Sequence, residues 1–471
     1  MSVGNGEQPN GGQSPMNSTI GDIDSQRDYA GSDQNDVNDS REATICVVGL
    51  GYVGLPLAVG FDQEGYNVVG FDIDDGKVET LRGGIDTTGD LGDDAIAESE
   101  ITYTNDPEEI TRADYVMITV PTPVDEHDQP NLDFVKAAGR TVGDYMSPDT
   151  TVILESTVFP GATREALVPA IEEASGLTCG EDFFVGYSPE RATPGDPEHG
   201  LRDVVKVVGG MNDDVRDDIA ELYSTVIDAG VHKAASLEVA EASKVVENVQ
   251  RDLNIALVNE LAMAFDNMDM DIDTRAVLEA AGTKWNFHDY RPGLVGGHCI
   301  PVDPYFFIHR SKQAGFSPNL IQKGRDVNES MPAHVSNMMI KELNQAGKAL
   351  RDSRVLILGM TYKPDVADIR TSKVDGIIRQ LREFDIETVG YDPHGDNDLM
   401  GEKFGIPILE DEEFSVEGFD GIVLATPHHE FYDLDLAELA AEMNDDPCFV
   451  DVTGSFKPEK VTDAGFAYRR V

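Results

Sequence analysis

Basic residues are scarce in this chain. Its 471 residues hold 36 Lys and Arg against 88 Asp and Glu, a formal net charge of −52 at pH 7. A surface of that sign repels nucleic acid and anionic membranes, so neither is expected as a partner. Cysteine is scarce too. Cys46, Cys179, Cys299 and Cys448 are too few and too scattered for a disulfide scaffold or a CxxC metal site, and no metal is expected. They suit a reducing, cytoplasmic setting. No apolar run reaches the ~18 residues of a membrane span. No basic start followed by an apolar stretch marks a signal peptide. Residues 1–43 hold few apolar side chains and are rich in Gly, Asn, Asp, Ser and Gln, the composition of a disordered, acidic extension. The acids run from Glu7 to Asp463. That spread fits a halophilic surface better than an acidic tail.

What is present is a patterned chain, 40% hydrophobic and long enough for two to four domains. Thr44–Val48 is a short apolar run ending at Gly49, the mark of a buried parallel strand. A helix is predicted over 55–63, and further strands over 67–72, 115–120, 151–154 and 204–208. Strand–helix alternation predicts an open parallel sheet. From Ser236 to about Asn267 the sequence is continuously helix-forming, without Gly or Pro. Another helix is predicted over 332–346. Strands are then predicted over 354–358, 388–391, 421–426 and 449–452. The fold class is therefore α/β: two Rossmann-like, doubly wound sheets joined by a helical middle. The expected boundaries are 44–235, 236–331 and 332–471.

Gly49-Leu50-Gly51-Tyr52-Val53-Gly54 fits GxGxxG. Its place after a strand and before a helix gives the pattern meaning. Gly49 permits the tight turn, Gly51 lets backbone N–H groups approach a pyrophosphate, and Gly54 permits close helix–sheet packing. Asp72 ends the next strand, where a carboxylate accepts ribose hydroxyls and repels a 2′-phosphate, favouring NAD over NADP. The other reading is a sheet of this kind that binds something else, or nothing. The second half has Gly359-Met360-Thr361-Tyr362-Lys363-Pro364 instead, expected to place a helix dipole and a lysine at a strand end.

The segment 292–304 sets three glycines and three prolines around Cys299. A cysteine in such a loop, four residues before Asp303, reads as a nucleophile or as a buried thiol. His298 reads as a packing or hydrogen-bonding residue, since no metal-ligand spacing accompanies it. Glu241, Lys244, Asn248 and Arg251 share one helical face. That face is either a solvated polar stripe or, if buried, a lysine, an amide and an arginine converging on a polyanion.

Together these residues resemble the UDP-sugar 6-dehydrogenase family, which includes the GDP-mannose dehydrogenases. The resemblance covers about 44–471. It rests on 49–54 with Asp72, Val120-Pro121-Thr122-Pro123, Glu155-Ser156-Thr157, Ser188-Pro189-Glu190-Arg191, Lys244 with Asn248 and Arg251, Gly296-Gly297-His298-Cys299 with Asp303, and Thr361-Tyr362-Lys363-Pro364 with Arg370. Gly-Gly-His-Cys is similar to the branch acting on UDP-N-acetylhexosamines, and the run from Lys284 to Val295 is similar to the UDP-N-acetylglucosamine or UDP-N-acetylgalactosamine dehydrogenases and less similar to the UDP-N-acetylmannosamine enzymes. UDP-N-acetylmannosamine and UDP-glucose dehydrogenases are the alternatives within the family, and a catalytically silent nucleotide-sugar-binding protein is the alternative outside it.

The resemblance implies an NAD-binding Rossmann domain, a helical dimerisation domain and a UDP-sugar-binding domain in a homodimer. It implies a four-electron oxidation of a sugar C6 alcohol to a carboxylate, for surface polysaccharide or glycan synthesis. It makes Cys299 the nucleophile, Lys244 and Asn248 the oxyanion partners, Asp303 and Lys244 the groups that handle water, and Glu155 a general base, with Thr122 also in the catalytic group. It places Tyr52, Val53, Asp72, Lys77, Thr122, Thr157 and Arg370 near NAD. Near the nucleotide sugar it places Arg191, Lys244, Asn248, Arg251, Arg291, Gly296 and Lys363. His428 and His429 are read as packing or surface residues rather than uridine contacts.

Overall fold

The computed structural model describes residues 43–471 apart from 126, 193–198, 269 and 271. The expected extension therefore lies, but for residue 43, outside the described residues. The first sheet contains β1 (Thr44–Val48), β2 (Asn67–Phe71), β3 (Thr102–Thr104), β4 (Tyr115–Ile118), β5 (Thr151–Leu154), β6 (Phe184–Tyr187), β7 (Lys206–Gly210) and β8 (Val231–Lys233). Its spatial order is β3-β2-β1-β4-β5-β6-β7-β8. Helices cover both faces, so strand residues alternate between two cores. In β1, Cys46 and Val48 join one core while Ile45 and Val47 join the other.

The second sheet contains β9 (Arg354–Leu358), β10 (Glu387–Tyr391), β11 (Gly421–Leu424), β12 (Cys448–Asp451) and β13 (Ala467–Arg470). Its order is β10-β9-β11-β12-β13, parallel throughout. Between the sheets lies the 30-residue helix Leu237–Asp266, capped by Ser236, whose side chain accepts the Val239 N–H. The α/β class with two sheets and a helical middle is as expected.

Three local expectations are corrected. The strand expected over 204–208 is β7, shifted to Lys206–Gly210 and antiparallel to β6. Its glycines belong to the strand because a Cβ on Gly209 would lie 2.9 Å from Ala240 Cβ. The helix expected over 332–346 begins at Asn319 and ends at Gln345, with Pro332 inside it. Proline at that point removes one backbone donor, and sequence rules therefore stop a helix there. Here the buried ring packs close to Gly376, where a Cβ would lie 2.7 Å from Pro332 Cβ. The boundary drawn at 331/332 thus falls inside a continuous helix. Finally, no helix opens directly after Gly359; the next α-helix starts at Val374. Among the described residues no helix is long and apolar enough to cross a membrane.

Candidate active site

The turn after β1 is built around its glycines. Gly49 has φ +97° and donates its N–H to Phe71 O at 2.8 Å. A Cβ on Gly54 would lie 1.9 Å from Gly49 O and 2.4 Å from Thr119 Oγ1, so only glycine lets the helix start this close to the sheet. A Cβ on Gly51 would meet nothing within 4 Å. The carbonyl side of the turn is closed and the Gly51 side is open, as a pyrophosphate needs.

Asp72, just past β2, accepts the Leu50 N–H at 2.8 Å, the Asp74 N–H at 3.0 Å and Lys77 Nζ at 2.8 Å. Burial opposes its charge, but the Lys77 ammonium and the two N–H groups outweigh burial and hold its carboxyl below the usual range. It stays ionised where a ribose would reach it. Tyr52 is exposed and Val53 half-buried on the same turn. Thr122 and Thr157, both half-buried, follow the neighbouring strands β4 and β5.

The nucleophile loop sits where the helix Asp303–Gln313 begins. The Cys299 carbonyl accepts the N–H groups of Asp303 (2.8 Å) and Val302 (3.1 Å), so the cysteine lies one turn before the helix. Its residue reaches solvent. Surrounding protein desolvates the thiol and the Asp303 carboxylate repels its anion, raising its pKa; Lys244 and Arg251 pull the other way. Asp303 is itself buried, and Asn248 Nδ2 donates to its Oδ2 at 2.5 Å. Burial pushes the Asp303 carboxyl up to about 6 against the opposing charge of Lys244 and the Asn248 bond. On the central helix Glu241 and Asn248 are buried, Lys244 is half-buried and Arg251 exposed. The stripe is thus partly buried, and its lysine, amide and arginine converge on Cys299 and Asp303.

Loop 359–373 of the second sheet holds this nucleophile loop in place. Gly297, at φ +94°, donates its N–H to Thr371 Oγ1 at 3.0 Å. A Cβ on Gly296 would sit 3.0 Å from Thr371 O. His298 Nε2 lies 2.9 Å from Asp368 Oδ2. The same carboxylate takes Arg370 Nε at 3.0 Å and Nη2 at 2.7 Å. Tyr362 feels the charges of Asp368, Cys299 and Tyr52, and Arg370 feels Tyr52. The dinucleotide turn, the cysteine and Arg370 therefore lie in one electrostatic neighbourhood.

Beside them a cleft of about 520 Å³ is walled by Gly296 and Tyr362 and by four cations: Arg275, Arg291, Lys363 and Lys373. Burial and the nearby charges of Arg291 and Arg470 lower the Arg275 pKa. Cations held against mutual repulsion favour an anionic occupant.

Two expected site residues are placed differently. The Glu155 side chain is sealed from solvent, with Lys206 Nζ at 2.8 Å on one oxygen and the Tyr223 hydroxyl on the other. Burial raises its pKa to about 6 despite the Lys206 charge. In this arrangement its carboxylate is engaged by Lys206 and Tyr223 rather than turned to Cys299. Arg191 is turned to Glu247 (2.9 Å) and to Val205 O (2.6 Å), and does not line the cationic cleft. His428 is fully buried between Asp392 and the Asp365 N–H, and His429 is exposed. Lys206, Asp368, Arg275 and Lys373 were not anticipated, and Glu190 and Tyr362 stood in the family motifs without an assigned role. Two signals were available: a lysine opening the buried run Lys206–Gly210, and an aspartate two residues before Arg370.

Comparison with known proteins agrees with this arrangement. Three family models match in chain order. The UDP-glucose/GDP-mannose dehydrogenase family NAD binding domain matches 43–227, the central domain 238–330 and the UDP binding domain 356–458. The chain belongs to the UDP-glucose/GDP-mannose dehydrogenase family. Within the family, the protein named CapL from Staphylococcus aureus is 45% identical over 387 residues, covering 82% of this chain and 90% of that one. A UDP-N-acetyl-D-glucosamine 6-dehydrogenase from Pseudomonas aeruginosa is 45% identical over 392 residues, covering 83% and 92%. The solved UDP-D-ManNAc dehydrogenase of Pyrococcus horikoshii superposes with a TM-score of 0.82 at 30% identity, covering 91% of this chain and 99% of that one. The chain is an NAD-dependent nucleotide-sugar dehydrogenase. As a family member it carries the turn 49–54 and Asp72 within its NAD binding domain match, and Lys363 and Arg370 within its UDP binding domain match.

Proposed function

We propose that this dehydrogenase oxidises the C6 alcohol of a UDP-N-acetylhexosamine to the uronic acid through covalent catalysis by Cys299. The observation that carries the reading is the meeting of Cys299, Asp303, Lys244 and Asn248 beside a cleft with four cationic residues. The cleft suits a nucleotide diphosphate, with Lys363, Arg291 and Gly296 on its wall. The relatives named for N-acetylated UDP-sugars support the substrate class.

When bound, NAD⁺ accepts the two electrons of each oxidation as hydride, so two equivalents are used. Gly51 leaves room for its pyrophosphate, and Asp72 takes its ribose hydroxyls. Lys244 and Asn248 stabilise the negative oxygen at C6. The Cys299 thiolate adds to the aldehyde carbon, holding it as a thiohemiacetal that cannot escape or hydrate. After the second oxidation the same sulfur is in a thioester. Water oriented by Lys244 and Asp303 attacks the acyl carbon and releases the thiolate and the carboxylate. Asp303 Oδ1 receives no donor among the described residues, which keeps it available for that water.

Cofactor, dimerisation and UDP-sugar domains follow in chain order in this reading, with the helix Asn319–Gln345 running from the second into the third. Val239, Val246 and Leu257 stay exposed on the central helix and suit a homodimer contact. The charge of −52 suits a salt-rich cytoplasm, and a uronic acid product suits surface polysaccharide synthesis. The test is NADH formation with UDP-GlcNAc, UDP-GalNAc, UDP-ManNAc and UDP-glucose at high and low salt. An acetamido sugar should give two NADH per sugar, and Cys299→Ser should give no net acid. Preference for UDP-glucose, or undiminished acid formation by Cys299→Ser, overturns the reading.

A further inference from the structure

The helix Leu237–Asp266 carries more than reaction groups on the face that bears Asn248. At about 100° per residue, Asn259 stands three turns and about 20° beyond Asn248, roughly 16 Å along the axis. It is fully buried where this helix meets the helix Asn319–Gln345. Nothing in the oxidation uses it directly.

The Asn259 carboxamide grips the segment that leads to the nucleophile. Gly293 donates its N–H to Asn259 Oδ1 at 2.8 Å, and Asn259 Nδ2 donates to Gly293 O at 3.1 Å. This exchange copies the paired bonds between two antiparallel strands. Residues 291–296 form neither helix nor strand. The side chain therefore does for this segment what a ladder does elsewhere, satisfying an N–H and a C=O and fixing their direction.

A buried network sets which way the amide points. Asn328 turns its Nδ2 to Asp252, at 3.0 Å from the backbone oxygen and 2.8 Å from Oδ1. Its own Oδ1 is left to accept Asn259 Nδ2, at 2.8 Å. Arg325 Nη1 holds Asp252 Oδ1 in turn at 2.5 Å. All four residues are at most 2% exposed. Each member orients the next, as in any satisfied polar chain out of water.

Both ends of this network reach the cationic cleft. Gly293 lies in its wall with Arg291 and Gly296. At the other end Arg325 bonds Glu329, and Glu329 holds Lys373 of the same wall at 2.8 Å and 2.7 Å.

We propose that Asn259 is a positioning residue for the oxidation. By clamping Gly293 it fixes the cleft wall 291–296 against the helix that carries Lys244 and Asn248, and so sets how the sugar meets Cys299. Thr371 ties Gly297 to the second sheet; Asn259 ties Gly293 to the central helix. The two ties bracket the segment that ends at Cys299. The inference rests on reading the cleft as the nucleotide-sugar site.

The test compares Asn259→Ser and Asn259→Asp with the parent, all as full chains. Serine is too short to bridge Gly293, and aspartate keeps the acceptor but loses the donor. UDP binding is measured by calorimetry, and turnover with the UDP-sugar that the parent oxidises fastest. Both variants should weaken UDP by ~10-fold or more and lower kcat/KM for the sugar by ~10–100-fold, the scale of a small misplacement. The KM for NAD⁺ should stay within twofold. Asn328→Ala leaves Asn259 in place but removes the group that orients it. It should give the same split at smaller size, and it carries the test if an Asn259 variant fails to fold. Ser336→Ala removes another fully buried side chain of the long helix, one bonded to Pro332 O and Ile377 O, and should leave the kinetics unchanged. Sugar kinetics within twofold of the parent in Asn259→Ser, an equal rise in the KM for NAD⁺, or the same losses in Ser336→Ala each overturns the clamp. A parent that neither binds UDP nor oxidises any UDP-sugar overturns the reading of the cleft and the clamp with it, whereas the ratio of variant to parent tests the clamp alone.

Discussion

His298 and Asp368 lie 2.9 Å apart, Nε2 to Oδ2, and join the residue beside the nucleophile to a loop of the second sheet. The same carboxylate holds Arg370 through two side-chain bonds. Burial disfavours the Asp368 charge, but Arg370 and His298 outweigh it and keep the carboxyl far below its usual range. One anion therefore sets both the nucleophile loop and an arginine beside the dinucleotide turn.

Asp368→Asn removes that charge with little change of shape. Its donors lose their shared acceptor, and both loops loosen. We expect kcat/KM to fall by ~10–100-fold, equivalent to ~1.4–2.7 kcal/mol of transition-state stabilisation. The KM for NAD⁺ should rise with it. The melting temperature should move by only a few degrees, because the pair is partly exposed. Unchanged kinetics would show that the tie does nothing for catalysis.

The two alanine variants of the dinucleotide turn should separate folding from binding. In Gly54→Ala the new methyl collides with Gly49 O. The helix must move off the sheet, at a cost of ~1–3 kcal/mol or more. In Gly51→Ala the methyl enters open space. That protein should keep its melting temperature and lose NAD⁺ affinity, since the methyl occupies room meant for the pyrophosphate. Thermal melts and NAD⁺ titrations on both variants check this. Equal NAD⁺ affinity in Gly51→Ala would remove the turn from the cofactor site.

How much of this was legible depended on the range of each signal. The strands Thr44–Val48 and Thr151–Leu154 and the helix Leu237–Asp266 were readable because an apolar run or an unbroken helical stretch is local information. Strands β3 and β8, three residues each, carry too little pattern. Pro332 misled because its tolerance depends on Gly376, forty-four residues away. The site residues Cys299, Lys244, Asn248 and Asp303 were legible from motif and resemblance, and the fold brings them together. The enclosure of Glu155 was not legible because it depends on Lys206 and Tyr223, which no spacing links to it.

Lys206 lies between Glu155 (2.8 Å) and Glu190 (3.2 Å) at 2% exposure. Burial favours the neutral amine, but the two carboxylates outweigh it and raise the lysine pKa. Lys206→Met leaves two buried acids without a cation, a change that costs ~3–5 kcal/mol. Denaturant unfolding should show a loss of that size, with partial recovery when Glu155→Gln is added. A loss below ~1 kcal/mol would mean that water already reaches the pair.

The net charge of −52 makes salt a direct probe of the surface. Repulsion between surface acids is screened to within ~3 Å at 1 M salt. The melting temperature should therefore climb steadily with KCl, and activity at low salt should fall. A flat profile would detach the acidity from any halophilic role.

The pH dependence should split stability from activity at the same group. Burial raises the Asp303 carboxyl to about 6, above its ordinary value of 3.8. Between those two values the folded chain holds a proton that the unfolded chain releases, so this group's contribution to stability falls as pH rises from about 4 to about 6 and is constant above. The water-handling role needs the anion, so activity should rise over that same window. The expected result is an acid limb in kcat with an apparent pKa near 6. Glu155 titrates in the same range, but Glu155→Gln should keep the limb because that carboxylate is sealed from the site. Asp303→Asn should lower kcat by at least ~100-fold, within the range of acid–base contributions, and leave the residual rate flat between pH 5 and 7. A limb that vanished in Glu155→Gln and persisted in Asp303→Asn would return the base to Glu155.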